Sequence, residues 1–223
     1  SYTSFEGRIA SFNITGLEEG IYHVVAYLND TTYKHDNYTA MFTVNKTYPS
    51  INITVVNETD IHVGDTVKII VSVPEDVLEN VTLEIKGIVL SNATVNGNAT
   101  FYVPSITYGN KTIVASYIGD RKYRFNSTTA NFTVAKRDLI VKVSVNDTID
   151  VGQIATVSVE LPDNATGYVT VNVGGNNYTI TLVDGNGSVD ISGLLNGTYD
   201  VNVTYIGDDQ YNSRINNTQS IKR

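Results

Sequence analysis

Val63-Gly64-Asp65 returns as Val151-Gly152-Gln153, Pro74 as Pro162, Gly87 as Gly175, Tyr117-Ile118-Gly119-Asp120 as Tyr205-Ile206-Gly207-Asp208, and Tyr123 as Tyr211, every pair 88 positions apart. A period of this length means that one structural unit recurs, so a fold has to be found for a unit and not for 223 residues at once. Residues 1–48 match only the second half of a unit. Tyr27, Asp30 and Tyr33 stand 90 positions before Tyr117, Asp120 and Tyr123, as Ala40-Met41-Phe42-Thr43-Val44 does before Ala130-Asn131-Phe132-Thr133-Val134. Ile14-Thr15-Gly16-Leu17, followed by Gly20 and Tyr22, copies Ile191-Ser192-Gly193-Leu194, followed by Gly197 and Tyr199. The reading is a part-domain over 1–48 and whole domains over 49–136 and 137–223.

Within a unit the side-chain period is two. Ser50-Ile51-Asn52-Ile53-Thr54-Val55, Asn80-Val81-Thr82-Leu83-Glu84-Ile85 and Val201-Asn202-Val203-Thr204-Tyr205 alternate apolar with polar, the pattern of strands with one dry and one wet face. The last unit predicts strands near residues 139–145, 154–161, 168–174, 178–183, 187–191, 199–206 and 218–221. Asn96-Gly97 and Asp184-Gly185 sit at matching places between strand signals and predict type I′ hairpins, which need positive φ at both central residues. About seven short strands per unit with Gly-rich turns favour an all-β, immunoglobulin-like sandwich over a barrel. The joins Thr47-Tyr48-Pro49-Ser50 and Lys136-Arg137-Asp138 are short and free of Gly/Ser tracts, so a stiff rod of tandem domains is expected.

Composition removes several classes of function. Lys and Arg number 15 against 23 Asp and Glu, and a net charge of −8 offers nothing to neutralise a phosphate backbone, so nucleic acid is not an expected partner. There is no cysteine, hence no disulfide, thiolate metal site or thiol nucleophile. No apolar run approaches the length needed to span a bilayer, so no membrane insertion is expected of this segment. The chain opens at Ser1 without a charged and then apolar leader, and is read as mature, processed or part of something longer.

The feature that carries function is the density of Asn-x-Ser/Thr. It occurs at 19 of 24 asparagines, whereas random placement against 42 Ser or Thr in 223 residues gives roughly 4.5. The sites are Asn13, Asn29, Asn37, Asn45, Asn52, Asn57, Asn80, Asn92, Asn98, Asn110, Asn126, Asn131, Asn146, Asn164, Asn177, Asn186, Asn196, Asn202 and Asn216, all with Thr except Asn186. Residues i and i+2 of a strand share a face, and Thr forms strands well, so a merely polar sheet surface explains the threonines. It explains the asparagines poorly, because Asn is disfavoured in strands, and it does not cover the loop sites Asn37, Asn126 and Asn164. N-glycosylation is therefore the expected reading, with a bare Asn-rich surface as the plainer alternative. Covalent sugars would shield sheet edges of a weakly charged chain, and they place the protein outside the cytoplasm, at the cell surface.

Other candidates are weaker. His23, His35 and His62 lack a second histidine or a carboxylate at ligand spacing, and no nucleophile motif, phosphate-cradling loop or recurring carboxylate pair is present, so the protein is not expected to be an enzyme. The oxygen-rich stretch from Asp184 to Asp190 reads as a hairpin and not a calcium loop. Calcium held by loop acids Asp30, Asp60, Asp65, Asp120, Asp147, Asp150 and Asp208 is a lesser possibility, and no other cofactor is implied. Lys68 alternates with Val67, Ile69 and Val71 and so faces outward, unsuited to a buried Lys–Asn isopeptide bond. Tyr22 and Tyr199, in Gly-x-Tyr, fit tyrosine corners; Lys111 holds that place in the middle repeat, where the corner is expected to be missing. Tyr33, Tyr123 and Tyr211, three residues after a loop Asp, are expected to pin a loop, with a ligand platform as the sharper alternative. Phe5, Phe12, Ile14, Tyr22 and Val24 leave residues 1–48 with an uncovered apolar face, so this part should be capped by other protein or be the least ordered.

The stretch from Gly197-Thr198-Tyr199 through Tyr205-Ile206-Gly207-Asp208 to Tyr211, with the closing Phe132-Thr133-Val134 of the preceding repeat, resembles the Ig-like repeats of large prokaryotic surface proteins, and most of all the adhesin-like proteins of methanogenic archaea. The first repeat departs with Leu28-Asn29-Asp30 and the last with Gln219-Ser220-Ile221. The resemblance implies surface display, long arrays of repeats, and attachment or fibre building. Two expectations follow: a non-enzymatic, glycosylated extracellular rod serving as an adhesin or stalk module, or a subunit of a filament or surface layer assembled by strand addition between chains. Strands missing from the first repeat come from upstream chain in one case and from another copy in the other. A non-catalytic arm of an extracellular enzyme is a third, lesser reading. Partners are other copies or repeats of the same protein, and a surface ligand the sequence leaves unnamed.

Overall fold

The computed structural model describes residues 4–6, 9–27, 31–32 and 37–223; Leu28, Asn29, Asp30, Tyr33 and His35 lie outside the described residues, as does the side chain of Phe5. Regular structure among the described residues is all strand. The first repeat supplies β1 (Ser4–Glu6), β2 (Ile9–Ser11), β3 (Gly20–Ala26) and β4 (Tyr38–Val44). The middle repeat supplies β5 (Asn52–Val55), β6 (Val67–Ser72), β7 (Val81–Ile85), β8 (Ile88–Asn92), β9 (Asn98–Val103), β10 (Gly109–Tyr117) and β11 (Asn126–Val134). The last supplies β12 (Lys142–Val145), β13 (Ala155–Glu160), β14 (Tyr168–Val173), β15 (Asn176–Thr181), β16 (Asn186–Ile191), β17 (Thr198–Tyr205) and β18 (Arg214–Lys222). Two compact units form the chain, one of Ser1–Thr54, Ile69–Phe101 and Thr112–Ala130, the other of Val55–Lys68, Tyr102–Lys111 and Asn131–Arg223, so the line between them runs through the middle repeat.

Each whole repeat makes the two sheets of a sandwich. In the last repeat the orders are β12-β13-β16 and β15-β14-β17-β18, and the middle repeat copies them as β5-β6-β9 and β8-β7-β10-β11. Alternation decides which side chains turn inward. Ala155, Val157 and Val159 of β13, Val169, Val171 and Val173 of β14, and Val201, Val203 and Tyr205 of β17 are buried in one cluster, each branched side chain contributing about 1.5–3 kcal/mol by leaving water. The fold is thus all-β and consistent with tandem β-sandwiches, as the strand pattern predicts.

The hairpin prediction holds in geometry. Asp184 and Gly185 have φ of 48° and 73°, Asn96 and Gly97 have 50° and 73°, and each turn is closed by mutual main-chain bonds, Val183 with Asn186 and Val95 with Asn98. Gly185 is required twice over, since a Cβ there would lie 2.4 Å from the Pro162 carbonyl oxygen. Each whole repeat also ties its opening segment to its closing strand through parallel bridges: His62 with Ala135, Thr148 with Lys222, and Arg137 with Tyr211.

The first repeat differs among its described residues. Its sheets are the two-stranded pairs β1-β2 and β3-β4. Tyr22 stacks on Phe42, with ring centroids 5.4 Å apart, yet Ile14 is 53% exposed where its counterpart Ile191 is 0% exposed. Tyr27 needs a correction as an echo of Tyr117 and Tyr205. It is 72% exposed and they are fully buried. Seven positions separate Gly20 from Tyr27, against eight from Gly109 to Tyr117 and from Gly197 to Tyr205, and a one-residue change in a strand of period two sends the side chain to the other face.

Candidate functional site: a polar surface of sequons and the loops beneath it

Strand alternation places the sequon asparagines outward. Apart from Asn29, which lies outside the described residues, none is buried; Asn126 and Asn216 are half-buried and the others are exposed. On the outer face of the last repeat, Asn177, Asn172 and Asn202 stand opposite one another across β15, β14 and β17, next to a parallel row of Thr179, Thr170 and Thr204. Asn172 Nδ2 donates to Asn177 Oδ1 at 2.7 Å.

Six sequon amides are bonded within the protein: those of Asn92, Asn98 and Asn186 donate locally to the Thr100, Asn96 and Asp184 carbonyls, and three others reach distant segments. Asn126 Nδ2 donates to the Pro49 carbonyl at 2.8 Å and Asn216 Nδ2 to the Val141 carbonyl at 2.8 Å, so in both whole repeats a sequon near the start of the closing strand clamps the opening segment to it. Asn216 Oδ1 then accepts from the Thr218 amide and hydroxyl. Asn164 Nδ2 donates to Gln210 Oε1, and the Thr166 hydroxyl of the same sequon donates to Asp208. The spacing that marks a sequon also suits a local side-chain turn, which is why pattern alone does not separate the two uses.

Three of the loop acids considered as calcium ligands, Asp65, Asp120 and Asp208, bond main-chain amides and side chains of the protein. Asp208 accepts from the amides of Gln210, Tyr211 and Thr166 at 2.7, 2.8 and 2.9 Å, and Asp120 accepts from Tyr117 Oη at 2.6 Å and from the amides of Lys122 and Tyr123 at 2.7 Å. Burial pushes the Asp208 carboxyl up, but these donors and Tyr205 outweigh it and hold it below the usual carboxylate range; Asp120 follows the same balance with Tyr117 as its main donor. Burial and the neighbouring Asp208 push the Tyr205 hydroxyl up. Asp65 caps the His62 amide and pairs with Arg137 at 2.5 Å. Among the described residues no three His, Asp or Glu side chains converge as a metal site. Lys68 sits at a half-buried, outward position of β6.

Tyr123 and Tyr211 pin loops. Tyr123 Oη donates to Asp76 and Tyr211 Oη to Asn164, each at 2.8 Å. Tyr199 Oη donates to the Leu195 carbonyl and accepts from the Leu195 amide, and Tyr22 Oη donates to the Glu18 carbonyl, both tyrosine corners. The middle repeat corrects the expectation of a missing corner. Lys111 is buried, and its ammonium donates to the carbonyls of Tyr108 at 2.9 Å and Gly109 at 3.1 Å, so a donor stands at the corner position but bonds residues three and two positions back, not four. A buried lysine is uncommon unless it is satisfied in this way. Sequence reasoning also missed an open cleft lined by Tyr48, Leu78, Ile118 and Phe125 together with the Glu19–Arg124 pair. In the last repeat Asp138, Thr166 and Ser213 stand where Tyr48, Leu78 and Phe125 do, a comparison of repeats that could have revealed it.

Residues 53–135 match the family described as bacterial Ig-like domain, group 3. The middle repeat is thus similar to bacterial Ig-like domains. Among solved structures, it is similar to the fibronectin(III)-like modules of Clostridium thermocellum CbhA, with 13% identity, a TM-score of 0.32, and coverage of 77% of this chain and 92% of that one. It is also similar to β-glucuronidase 3 of Bacteroides uniformis, with 12% identity, a TM-score of 0.31, and coverage of 77% of this chain but 25% of that one. No curated protein is significantly similar in sequence. Among the described residues no helix is long and apolar enough to cross a membrane.

Proposed function

We propose that this chain is a non-enzymatic, cell-surface adhesin or stalk module whose sheet edges are covered by N-linked sugars. One observation carries the reading. The two whole repeats have four sheets and hence eight edge strands; β5, β8, β9, β11, β15, β16 and β18 each contain a sequon, and Asn146 directly follows the eighth, β12. Of the six central strands, β6, β7, β13 and β14 contain none, while β10 carries Asn110 and β17 carries Asn202. An unpaired strand edge is a template for unwanted pairing, and a bulky hydrated glycan beside it blocks that approach. Asn126, Asn164 and Asn216 are the exceptions, because their amides hold segments 46 to 77 positions away, whereas Asn92, Asn98 and Asn186 make only local bonds; β18 is covered instead by the opening segment that Asn216 holds. Proteins with bacterial Ig-like domains are often surface-associated, which agrees with this placement.

A second reading, a filament or surface-layer subunit joined by strand addition, is favoured by the free edge of β3, which pairs on its other side with β4. Mass measurement of native material separates glycan-bearing from bare chain. The expected result is a mass well above 24.4 kDa, with glycopeptides at the edge-strand asparagines and none at Asn126, Asn164 or Asn216. A native mass of 24.4 kDa overturns the glycan reading.

A further inference from the structure

The open cleft of Tyr48, Leu78, Ile118 and Phe125 measures about 920 Å³, and its whole lining belongs to one compact unit. Those four side chains are 59–74% exposed, a cluster of apolar surface that water disfavours. The fold does not need them. In the last repeat the same walls are built: the Leu78 and Thr166 amides donate to Asp120 and Asp208, and Thr47 and Arg137 bridge to Tyr123 and Tyr211. Gly119 and Gly207 have φ of 97° and 87°, and a Cβ at either would lie 2.8 Å from the Tyr123 or Tyr211 carbonyl oxygen.

What these walls present to solvent differs. Where the cleft has Tyr48, Leu78 and Phe125, the last repeat has Asp138, Thr166 and Ser213, and Asn212 there spends its amide on Asp138. Arg121, Lys122 and Arg124 give way to Asp209, Gln210 and Asn212. Aromatic surface and positive charge are thus present together, at one place, on a framework that also folds without either. Lys122 pairs with Asp76 and Arg124 with Glu19, whereas the side chains of Lys46, Glu79 and Arg121 make no bond among the described residues. Two unpaired cations and one unpaired carboxylate therefore line the cleft, in a chain whose net charge is −8.

We propose that this cleft binds an acidic glycan, a chain of uronic acid residues, and so is the ligand site of the surface module proposed above, a reading on which it rests. A pyranose turns a face of C–H groups to the negative face of an aromatic ring, which Tyr48 and Phe125 supply. The ring carboxylate pairs with Arg121, whose planar fork takes both oxygens, and Lys46 adds a second positive charge. Sugar hydroxyls donate to Glu79. A neutral sugar leaves both cations unused, and a purely acidic peptide offers no ring face to the aromatic side chains. The bonds of Asp120 to the Leu78, Lys122 and Tyr123 amides hold the walls in place before the ligand arrives, which lowers the ordering cost of binding.

Unglycosylated recombinant chain 1–223 is titrated calorimetrically with tetragalacturonate and tetramannuronate. Maltotetraose serves as the neutral sugar and a tetraglutamate peptide as the anion without a ring. At least one uronate is expected to bind tenfold more tightly than both controls and to shift the amide resonances of residues 118–125. Arg121→Gln and Phe125→Ser, at exposed side chains, are each expected to weaken that binding at least tenfold with no change in melting temperature. Tyr102→Ser, at an exposed tyrosine of the other compact unit, is expected to leave it unchanged. No binding of either uronate, less than a tenfold margin over a control, resonance shifts confined to other residues, or full affinity in Arg121→Gln or Phe125→Ser overturns the proposal. The titration uses sugar-free chain, so its failure leaves the glycan-covered surface module standing, and that reading is decided by the native mass.

Discussion

Tyr211 Oη donates to Asn164 Oδ1 at 2.8 Å across 47 residues of sequence, while Tyr211's own amide is held by Asp208. A ring and a carboxamide thus lock two loops of the last repeat, and the carboxamide belongs to a sequon. Tyr211→Phe should lower the stability of this repeat by about 1 kcal/mol, because it strands a partly buried acceptor. In a domain of this size that is a fall of about 4–8 °C in Tm. Calorimetry of the variant checks it, and an unchanged Tm would mean the loops hold without the bond.

Lys111 offers the reverse experiment. Lys111→Ala should cost about 2–4 kcal/mol, since it leaves the Tyr108 and Gly109 carbonyls without their donor and opens a cavity. Lys111→Tyr should restore the corner of the other repeats and recover most of that loss. Urea unfolding of both variants decides between a bonding role and mere space filling, for which tyrosine would offer no advantage over methionine.

Acid should loosen both whole repeats. Asp120 and Asp208 have folded pKa values below that of the unfolded chain, so their contribution is fully present above about pH 4 and is lost as pH falls through the folded values. Thermal midpoints recorded from pH 7 down to 2 should be flat at first and then decline below about pH 4. Asp208→Asn should be less stable at pH 7 and show a shallower decline. A parallel curve would show that other carboxylates set the slope.

Gly185→Ala should be far worse than Gly175→Ala. Both positions have positive φ, 73° and 86°, but only at Gly185 does the added Cβ strike backbone, whereas Gly175 opens to empty space. The expected losses are about 1 kcal/mol at Gly175 and several times that at Gly185. Expression and melting of the pair test this.

Much of the architecture was legible because two signals agreed: an 88-residue period and a side-chain period of two. They brought the strands of the last repeat within a few residues, the main shortfall being β18, which begins at Arg214 and not near Thr218 because Arg214-Ile215-Asn216-Asn217 does not alternate. Tyr27 was misjudged because loop residues beyond it align by 90 positions while the strand before it is one residue short. The roles of Asn126, Asn164 and Asn216 were not legible, since their partners lie 46 to 77 positions away and a sequon reads the same whether its amide meets water or a carbonyl. Lys111 was hidden for a related reason: the corner was sought as a residue type, and what the backbone requires is a donor.

The parallel bridges that tie Arg137 to Tyr211 and Thr148 to Lys222 have a mechanical consequence. When the chain is pulled from both sides of the last repeat, the opening segment and β18 slide past each other in opposite directions, so the bonds bear the load together in shear. Antiparallel ends would instead peel apart one bond at a time. A module wired in this way holds its length under tension until several bonds fail at once.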